Sequence, residues 1–402
     1  MGDVVEPIRR RPRLGRRGRT PPASAARPLE GTPLEELVLA SLPDPRVPVL
    51  PAQVDVRPRI GLVMGAGGVL GNAYLSGVMA ALWEVTGFEP RTAAALVGTS
   101  AGAVHAALYG AGMPALFGLW RSRGGRLPDE ALGGIRTGEG LSDLGEAADI
   151  RDMYIPARAL PRFGPASTTL MVRAATRPWS YKPEVVASGL LPEGMLTNDA
   201  VGRVVRRVVP MGWTPHPRTW VTAVNLRTGR REVFGRPEAP RAHLDRAVRA
   251  SCAIPGFYRP VRIGRDRYVD GGAHSPSNAD LLCGLDLDLA IAVNPMSSLE
   301  GRASAGLIDR YLYPVRRIAG RRLDAELRLL AAEDVPTLVL CPTARDLAVF
   351  GRNLMDPRPR RLVAETALTS TRDTLLAPAA ARAVLLLRHA ADAAQRTGTP
   401  GA

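Results

Sequence analysis

The chain has 402 residues, of which 46% are hydrophobic and 23% are charged, a balance that excludes wholesale disorder and a polytopic membrane protein. Only 5% of the residues are aromatic, so the core must be built mainly from Ala, Val and Leu. The 53 basic residues outnumber the 38 acidic ones and give a net charge of +15, and all but Lys182 are arginines.

The first predicted segment, residues 1–55, is a disordered basic arm followed by a proline-rich linker. Residues 1–27 carry eight arginines against two acidic side chains. Such a run favours a solvated tail, or a peripheral contact with anionic lipid headgroups, where each arginine is worth about 1 kcal/mol. No aromatic residue interleaves the arginines, so nucleic acid is not an expected partner. No apolar stretch follows them, so no signal peptide is expected.

Residues 56–395 are predicted to form one domain that includes a helical C-terminal part. The domain begins with the apolar run Ile60–Met64, which is short enough for a buried strand. A glycine-rich loop, Gly65–Gly71, follows this strand. Apolar residues at helical spacing then predict a helix over Ala73–Val85.

A second strand–turn–helix unit comes next. The apolar run Ala94–Val97 leads into the turn Gly98–Gly102 and a helix that continues through Tyr109. The segment Thr92–Trp120 has no charged residue and is long enough to cross a bilayer, but glycines and Pro114 divide it, so no transmembrane span is expected. Strands and helices in this order predict an α/β fold with parallel strands.

Further strands and helices are predicted towards the C-terminus. The strands are Trp220–Asn225, Arg231–Phe234, Val261–Ile263, Arg267–Val269, Leu287–Val293 and Thr337–Cys341. The helices cover about 198–209, 240–251, 305–333 and 363–395. Apolar residues between 153 and 181 indicate either a cover over an apolar pocket or ordinary core packing.

The strongest chemical signal is the G-x-S-x-G sequence Gly98–Gly102, which lies between a predicted strand and a predicted helix. A serine on such a turn projects its Oγ away from the backbone. Small residues at Gly98 and Gly102 let neighbouring chain approach, and the helix N-terminus directs N–H groups at the reacting oxygen. The motif therefore predicts that Ser100 is a nucleophile.

The glycine-rich loop Gly65–Gly71 has several interpretations. A dinucleotide-binding loop requires an acidic residue at the end of the second strand, where Gly98-Thr99-Ser100 stands instead. Backbone N–H groups of Gly67, Gly68 and Val69 can form an oxyanion hole, in which one donor is worth about 2.7–4 kcal/mol. The structural alternative is a turn that packs the helix against the strand.

A hydrolytic serine needs a base, and no histidine stands in a context that indicates one. In Tyr268–Gly272, a carboxylate ends a predicted strand before two glycines that permit close approach. Asp270 is therefore predicted to contact Ser100 directly as the general base, with a turn cap as the alternative. The cysteines and histidines lack C-x-x-C and H-E-x-x-H spacing, so no metal and no other cofactor is expected.

Taken in order, the glycine-rich loop, the G-x-S-x-G turn and the later D-G-G resemble the motifs of patatin-like phospholipases. The stretch Ser251–Val261, continued by Tyr268–Gly272, is similar to the family's S-x-A-x-P…F-x-P…Y-x-D-G-G sequence. The resemblance covers residues 59–295 and is less diagnostic in the helical C-terminal part.

The resemblance implies a three-layer α/β/α sandwich around a mostly parallel sheet. It also implies hydrolysis of lipid acyl esters through an acyl-enzyme, without metal or cofactor. Ser100 becomes the nucleophile and Asp270 the general base of a dyad, and Gly67, Gly68 and Val69 become the oxyanion hole. The supporting glycines of the motifs are Gly65, Gly71, Gly98, Gly102, Gly271 and Gly272.

The chain departs from the family pattern at two positions in the glycine-rich loop. Ala66 stands where the family usually has glycine, and Leu70 stands where it often has arginine or lysine. Leu70 removes a charge beside the expected oxyanion hole, so the family's headgroup preference and rate are not carried over to this chain.

Two alternatives to a lipid hydrolase remain at the level of the sequence. A transacylase would pass the acyl group to an acceptor alcohol through the same dyad. A non-catalytic lipid-binding protein at a membrane surface would not need Ser100, Asp270 and the glycine-rich loop, all of which are intact. The expected partner is a lipid ester and the expected location is the cytoplasm, with the basic arm as a peripheral membrane contact.

Overall fold

The computed structural model describes residues 57–123, 155–156, 164–297 and 307–396. The basic arm and linker predicted over residues 1–55 lie outside the described residues. Among the described helices, none combines the length and the apolar composition that a bilayer span requires.

The centre of the fold is an eight-stranded mixed sheet. Its strands are β1 (Ile60–Met64), β2 (Ala95–Gly98), β3 (Thr219–Asn225), β4 (Arg231–Phe234), β5 (Val261–Ile263), β6 (Asp266–Asp270), β7 (Leu289–Val293) and β8 (Thr337–Leu340). The order is β5-β6-β3-β2-β1-β7-β8, and β4 also pairs with β3. Strands β3, β2, β1, β7 and β8 are parallel, whereas β4, β5 and β6 join by antiparallel pairing.

The described helices are α1 to α11, and they lie between and after these strands. They are α1 (Gly68–Thr86), α2 (Ala101–Gly110), α3 (Phe117–Ser122), α4 (Thr168–Thr176), α5 (Pro183–Leu190), α6 (Asp199–Val208), α7 (Leu244–Ser251), α8 (Leu307–Ala332), α9 (Ala344–Phe350), α10 (Arg360–Leu376) and α11 (Ala381–Arg396).

Every residue of β1, β2, β7 and β8 is buried, because helices cover both faces of the sheet. Alternate residues of β1 point to opposite faces. Leu62 joins the core formed with α1, α2 and α10, and Val63 joins the core formed with α8. The predicted three-layer α/β/α architecture is therefore confirmed.

The predicted bounds of most strands agree with the structure within a residue or two. The prediction joined the last two helices into one. The predicted helix over 363–395 is divided into α10 and α11 by a short 3-10 turn, Pro378–Ala380. Proline has no backbone N–H and cannot continue the hydrogen-bond pattern of α10, so the chain turns there.

Helix α10 crosses α1 at a point of close backbone approach. A Cβ atom added to Gly77 of α1 would overlap the carbonyl oxygen of Ala364 and lie 2.8 Å from the Cβ of Ala367. Glycine at position 77 therefore lets α10 pack directly on α1, although glycine inside a helix costs about 1 kcal/mol relative to alanine.

This contact predicts opposite effects for two helical glycines. Gly77→Ala should lower the free energy of unfolding by about 1–3 kcal/mol, because the added methyl forces α10 away from α1. Gly320→Ala in α8 is the control, since its Cβ would meet nothing within 4 Å. It should raise stability by up to about 1 kcal/mol through helix propensity. Urea unfolding measures both, and a stable Gly77→Ala protein would contradict the packing argument.

Candidate active site

The loops that follow β1 and β2 lie side by side. The two strands are parallel neighbours with Met64 opposite Gly98, so their carboxyl ends meet at one edge of the sheet. Gly102 N donates to Gly65 O at 3.1 Å, and Thr99 N donates to Met64 O at 3.0 Å. The parallel sheet thus brings the glycine-rich loop against the G-x-S-x-G turn, at the edge where open α/β sheets bind ligands.

Ser100 occupies a strained backbone conformation at the start of α2. Its φ is 54° and its ψ is −115°, in a region that non-glycine residues rarely adopt. Strain of this kind costs on the order of 1–3 kcal/mol and requires supporting contacts. Ser100 N donates to Ser251 Oγ at 2.8 Å, and Cys252 Sγ donates to Ser100 O at 3.2 Å. The end of α7 therefore holds the serine in place.

The glycines on either side of Ser100 are required by contact with neighbouring backbone. A Cβ atom on Gly102 would overlap the carbonyl group of Met64, and one on Gly98 would lie 2.6 Å from Ala103 Cα. The structure thus gives the physical reason for the small residues that the motif predicted.

Asp270 ends β6, which pairs with β3 through Ala223. The backbone N–H of Asp270 donates to Ala253 O at 2.9 Å, and Gly272 N donates to Asp270 Oδ1 at 2.7 Å. The Ser100 side chain lies close enough to the same carboxyl group to lower its pKa. The structure thus brings Ser100 and Asp270 into contact, and Asp270 also caps the turn that follows it.

Burial sets the protonation of Asp270. Only 5% of the residue is exposed, and this burial raises the pKa of the carboxyl group from 3.8 to about 6, against the opposing hydrogen bonds from Ser100 and Gly272. At neutral pH the group is therefore ionised, but it accepts a proton far more readily than an ordinary aspartate.

All five histidines lie in the described residues, and none of them hydrogen-bonds Ser100 or Asp270 there. His105 bonds the Tyr109 hydroxyl and the Asn72 carbonyl, each at 3.2 Å. His274, four residues after Asp270, contacts Lys182 Nζ through its Nε2 at 3.1 Å. Within this part of the chain, the Ser100 side chain lowers the pKa of two titratable groups, Asp270 and Cys252. Burial raises the pKa of the Cys252 thiol well above its usual value, so Asp270 is the one of the two that is ionised at neutral pH.

The glycine-rich loop presents free backbone donors. Within the described parts of the chain, the N–H groups of Gly67, Gly68 and Val69 donate to no protein acceptor, whereas Leu70 N donates to Leu354 O at 2.9 Å. Gly68 and Val69 line the same cavity as Ser100. Gly67 does not, and a Cβ atom there would lie 2.8 Å from the Cβ of Pro295.

The sequence did not single out a further donor, the N–H of Ala101. This residue follows Ser100, opens α2 and lines the cavity. Its N–H also lacks an acceptor among the described residues. In α/β-hydrolases, the backbone N–H of the residue that follows the nucleophilic serine forms part of the oxyanion hole.

A sequence model of the patatin-like phospholipase family matches residues 62–282, which is more than half of the chain. The chain belongs to the patatin-like phospholipase family. The family generally hydrolyses lipid esters, and this chemistry agrees with the arrangement of Ser100, Asp270 and the unpaired backbone donors. The resemblance deduced from the motifs is confirmed.

The patatin-like chain is also similar to uncharacterized NTE family proteins of Mycobacterium tuberculosis and Mycobacterium bovis. Each is 26% identical to it over 260 residues, which is 63% of this chain and 54% of the relative. The chain spans about half the length of these curated relatives.

Leu70, which stands where this patatin-like family often has a cation, is fully buried in the main core and does not line the cavity. A charge at this position would therefore be desolvated in this chain.

The cavity beside Ser100 has mostly apolar walls. It measures about 150 Å³, several times the roughly 10–15 Å³ that one enclosed water needs. Its apolar lining comes from α2, α3, α6 and the segment before α10, and includes Val104, Leu108, Phe117, Val201, Val204 and Met355. Such a lining suits a segment of acyl chain.

The cover suggested for residues 153–181 is not found in the described part of that range. Leu170 is fully buried against Val185 and Val224, as ordinary core packing predicts, and Trp179 is 82% exposed. Met355 reaches the oxyanion loop instead, because a Cβ atom on Gly68 would lie 2.9 Å from its Sδ. Residues 153, 154 and 163 lie outside the described residues.

A buried cluster of hydrogen-bonded polar side chains lies next to the site. Asn278 Nδ2 donates to Thr99 Oγ1 at 2.9 Å, and Thr99 Oγ1 lies 2.8 Å from Thr222 Oγ1. Thr99 precedes Ser100, and Thr222 packs against Gly271, the residue after Asp270. The cluster therefore links the two halves of the site, and no sequence motif indicated it.

The raised pKa of Asp270 predicts that Asp270→Asn stabilises the fold. Below about pH 4 the carboxyl group is protonated in both the folded and the unfolded state. Above about pH 6 it is ionised in both states, so the wild-type fold bears the full free-energy cost of burying the charge. With a pKa of 3.8 in the unfolded state and about 6 in the folded state, the substitution should raise the free energy of unfolding at pH 8 by up to about 3 kcal/mol. Chemical unfolding between pH 5 and 8 should show a gain that grows to about pH 6 and then levels off.

The control is Asp266→Asn in the same strand. The Arg227 hydrogen bond lowers the pKa of Asp266 to about 2, so its ionised form stabilises the fold and the substitution should lower stability at pH 8. An Asp270→Asn protein that is less stable than the wild type at pH 8 would refute a desolvated carboxylate at position 270.

Proposed function

We propose that this patatin-like protein is a serine lipid acyl hydrolase that works through a Ser100–Asp270 dyad. The observation that carries the proposal is that the Ser100 side chain lies close enough to the buried carboxyl group of Asp270 to lower its pKa. This contact occurs where Ser100 opens into an apolar cavity beside unpaired backbone donors.

The reaction begins with the ester carbonyl beside Ser100. As Ser100 Oγ bonds the carbonyl carbon, Asp270 takes the hydroxyl proton, and the carbonyl oxygen gains the negative charge. The N–H groups of Gly68, Val69 and Ala101 stabilise that charge, and Gly67 shapes the loop. Each donor aimed at the developing oxyanion contributes about 3 kcal/mol to transition-state stabilisation.

Collapse of the tetrahedral intermediate breaks the ester C–O bond. The alcohol leaves with the proton held by Asp270, and the acyl group remains on Ser100. A water molecule then adds to the acyl-enzyme carbonyl and gives its proton to Asp270. The second collapse releases the fatty acid and returns the proton to Ser100 Oγ, so acid and base functions alternate on one carboxyl group.

Ser100→Ala and Asp270→Asn should each lower kcat for a short p-nitrophenyl ester at least about 1,000-fold, while the circular dichroism spectrum is retained. The double variant should be little slower than either single variant, because the two residues act as a unit. Asp266→Asn should keep near wild-type turnover.

Stopped assays of p-nitrophenol and free fatty acid measure both halves of the reaction. Transfer of the acyl group mainly to added glycerol would point to the transacylase alternative. Wild-type turnover in Asp270→Asn would refute the base, and hydrolysis that survives Ser100→Ala would refute the nucleophile.

A further inference from the structure

Two arginines line the cavity that holds Ser100. Arg121 is in the last turn of α3, and Arg360 is the first residue of α10. The residues that line this cavity include no aspartate and no glutamate, so its charged lining within the described chain is entirely cationic.

The carboxylates near these helices are already paired with other arginines. Glu365 contacts Arg123 and Arg361, and Asp356 contacts Arg358. Neither Arg121 nor Arg360 forms an ion pair with a described carboxylate. Two guanidinium groups therefore share a partly enclosed space without a counter-charge from the described residues.

The electrostatics of the cavity agree with this geometry. Burial lowers the pKa of Arg121 to about 10, and the charge of Arg360 lowers it further. Burial likewise lowers the pKa of His105 to about 4, with a smaller contribution from Arg121. His105 is thus neutral at neutral pH, and the positive charge of the cavity is that of the two arginines.

Helix geometry relates the arginines to the nucleophile. His105 lies five residues after Ser100 along α2, a rise of about 7 Å. Helix α3 packs against His105, since a Cβ atom on Gly118 would lie 3.3 Å from its Cε1. Ser100 and both arginines line one cavity of about 150 Å³, so a group that reaches the arginines lies in the same small space as an ester at Ser100.

We propose that Arg121 and Arg360 form an anion subsite that selects lipid esters carrying a phosphomonoester close to the scissile bond. Guanidinium groups bind phosphate oxygens through paired, charge-assisted hydrogen bonds. A zwitterionic phosphocholine headgroup would place its ammonium group in the same positive field without a lining carboxylate, and a neutral acylglycerol would leave both arginines unpaired. The subsite rests on the proposed function, because it assigns the headgroup of that site's substrate.

Binding can be tested without turnover in the Ser100→Ala protein. Calorimetry below the micelle concentration should give at least tenfold tighter binding for decyl phosphate than for decylphosphocholine. Arg121→Gln and Arg360→Gln should each weaken decyl phosphate at least tenfold and leave decylphosphocholine within twofold. Arg121→Lys should retain part of the preference, because it keeps the charge.

Arg361→Gln is the matched control, because Arg361 neighbours Arg360 on α10 but pairs with Glu365. It should leave the binding of both ligands unchanged. Inorganic phosphate alone is the third ligand. If it binds as tightly as decyl phosphate, the site is one for free phosphate and the lipid assignment is overturned.

Hydrolysis provides the second readout. With matched 1-acyl glycerol esters, kcat/KM should favour the phosphomonoester over the phosphocholine ester at least tenfold. The two Arg→Gln variants should abolish the preference, whereas Arg361→Gln should retain it and hydrolyse p-nitrophenyl butyrate at the wild-type rate. Equal losses on all substrates, or no preference in the wild type, would overturn the subsite.

The two proposals fail in different ways. Arginine-dependent binding of decyl phosphate by a protein that hydrolyses no ester would refute the hydrolase and retain the subsite. Dyad-dependent hydrolysis without headgroup preference would refute the subsite and retain the hydrolase.

Discussion

The structure of the site depends on one contact, between a serine on a strained turn and a carboxyl group buried beside it. Ser100 lies on the turn that follows β2, and Asp270 ends β6. The contact therefore depends on β3, which lies between these two strands. Gly98 lies opposite Val221 and Asp270 lies opposite Ala223, so the register of β2 and β6 on β3 brings Ser100 and Asp270 to nearly the same level along the sheet. The fold thus determines which carboxylate meets the serine.

Burial makes this contact chemically useful and thermodynamically unfavourable at the same time. Enclosure by the core raises the proton affinity of Asp270, which a base needs, and it penalises the ionised form, which the fold must tolerate. The positive φ of Ser100 adds backbone strain at the neighbouring position. The hydrogen bond that Ser100 N donates to Ser251 Oγ and the bonds of the Asn278 cluster hold the arrangement, as expected where function is built at the expense of stability.

The sequence predicted the site residues whose position depends on local backbone geometry. The turn around Ser100 and the strand end at Asp270 each combine a reactive side chain with glycines, and the structure shows the close backbone contacts behind those glycines. The sequence did not predict the residues that reach the site through tertiary contacts. Met355 and Arg360 reach the cavity because α10 packs on α1, and neither a periodicity nor a motif records such a contact. The sequence likewise left a cover over the pocket and core packing open for residues 153–181, since apolarity alone does not say which surface a side chain meets. The described part of that range shows core packing.

The central claim, that Asp270 activates Ser100, is tested most directly by covalent labelling with a fluorophosphonate probe across pH 5–8, with the adduct located by peptide mass spectrometry. We expect a single adduct on Ser100, with a rate that rises with pH through about 6 as the Asp270 carboxyl group ionises and levels off above it. An adduct on another residue would contradict the account, as would a labelling rate that does not change between pH 5 and 7.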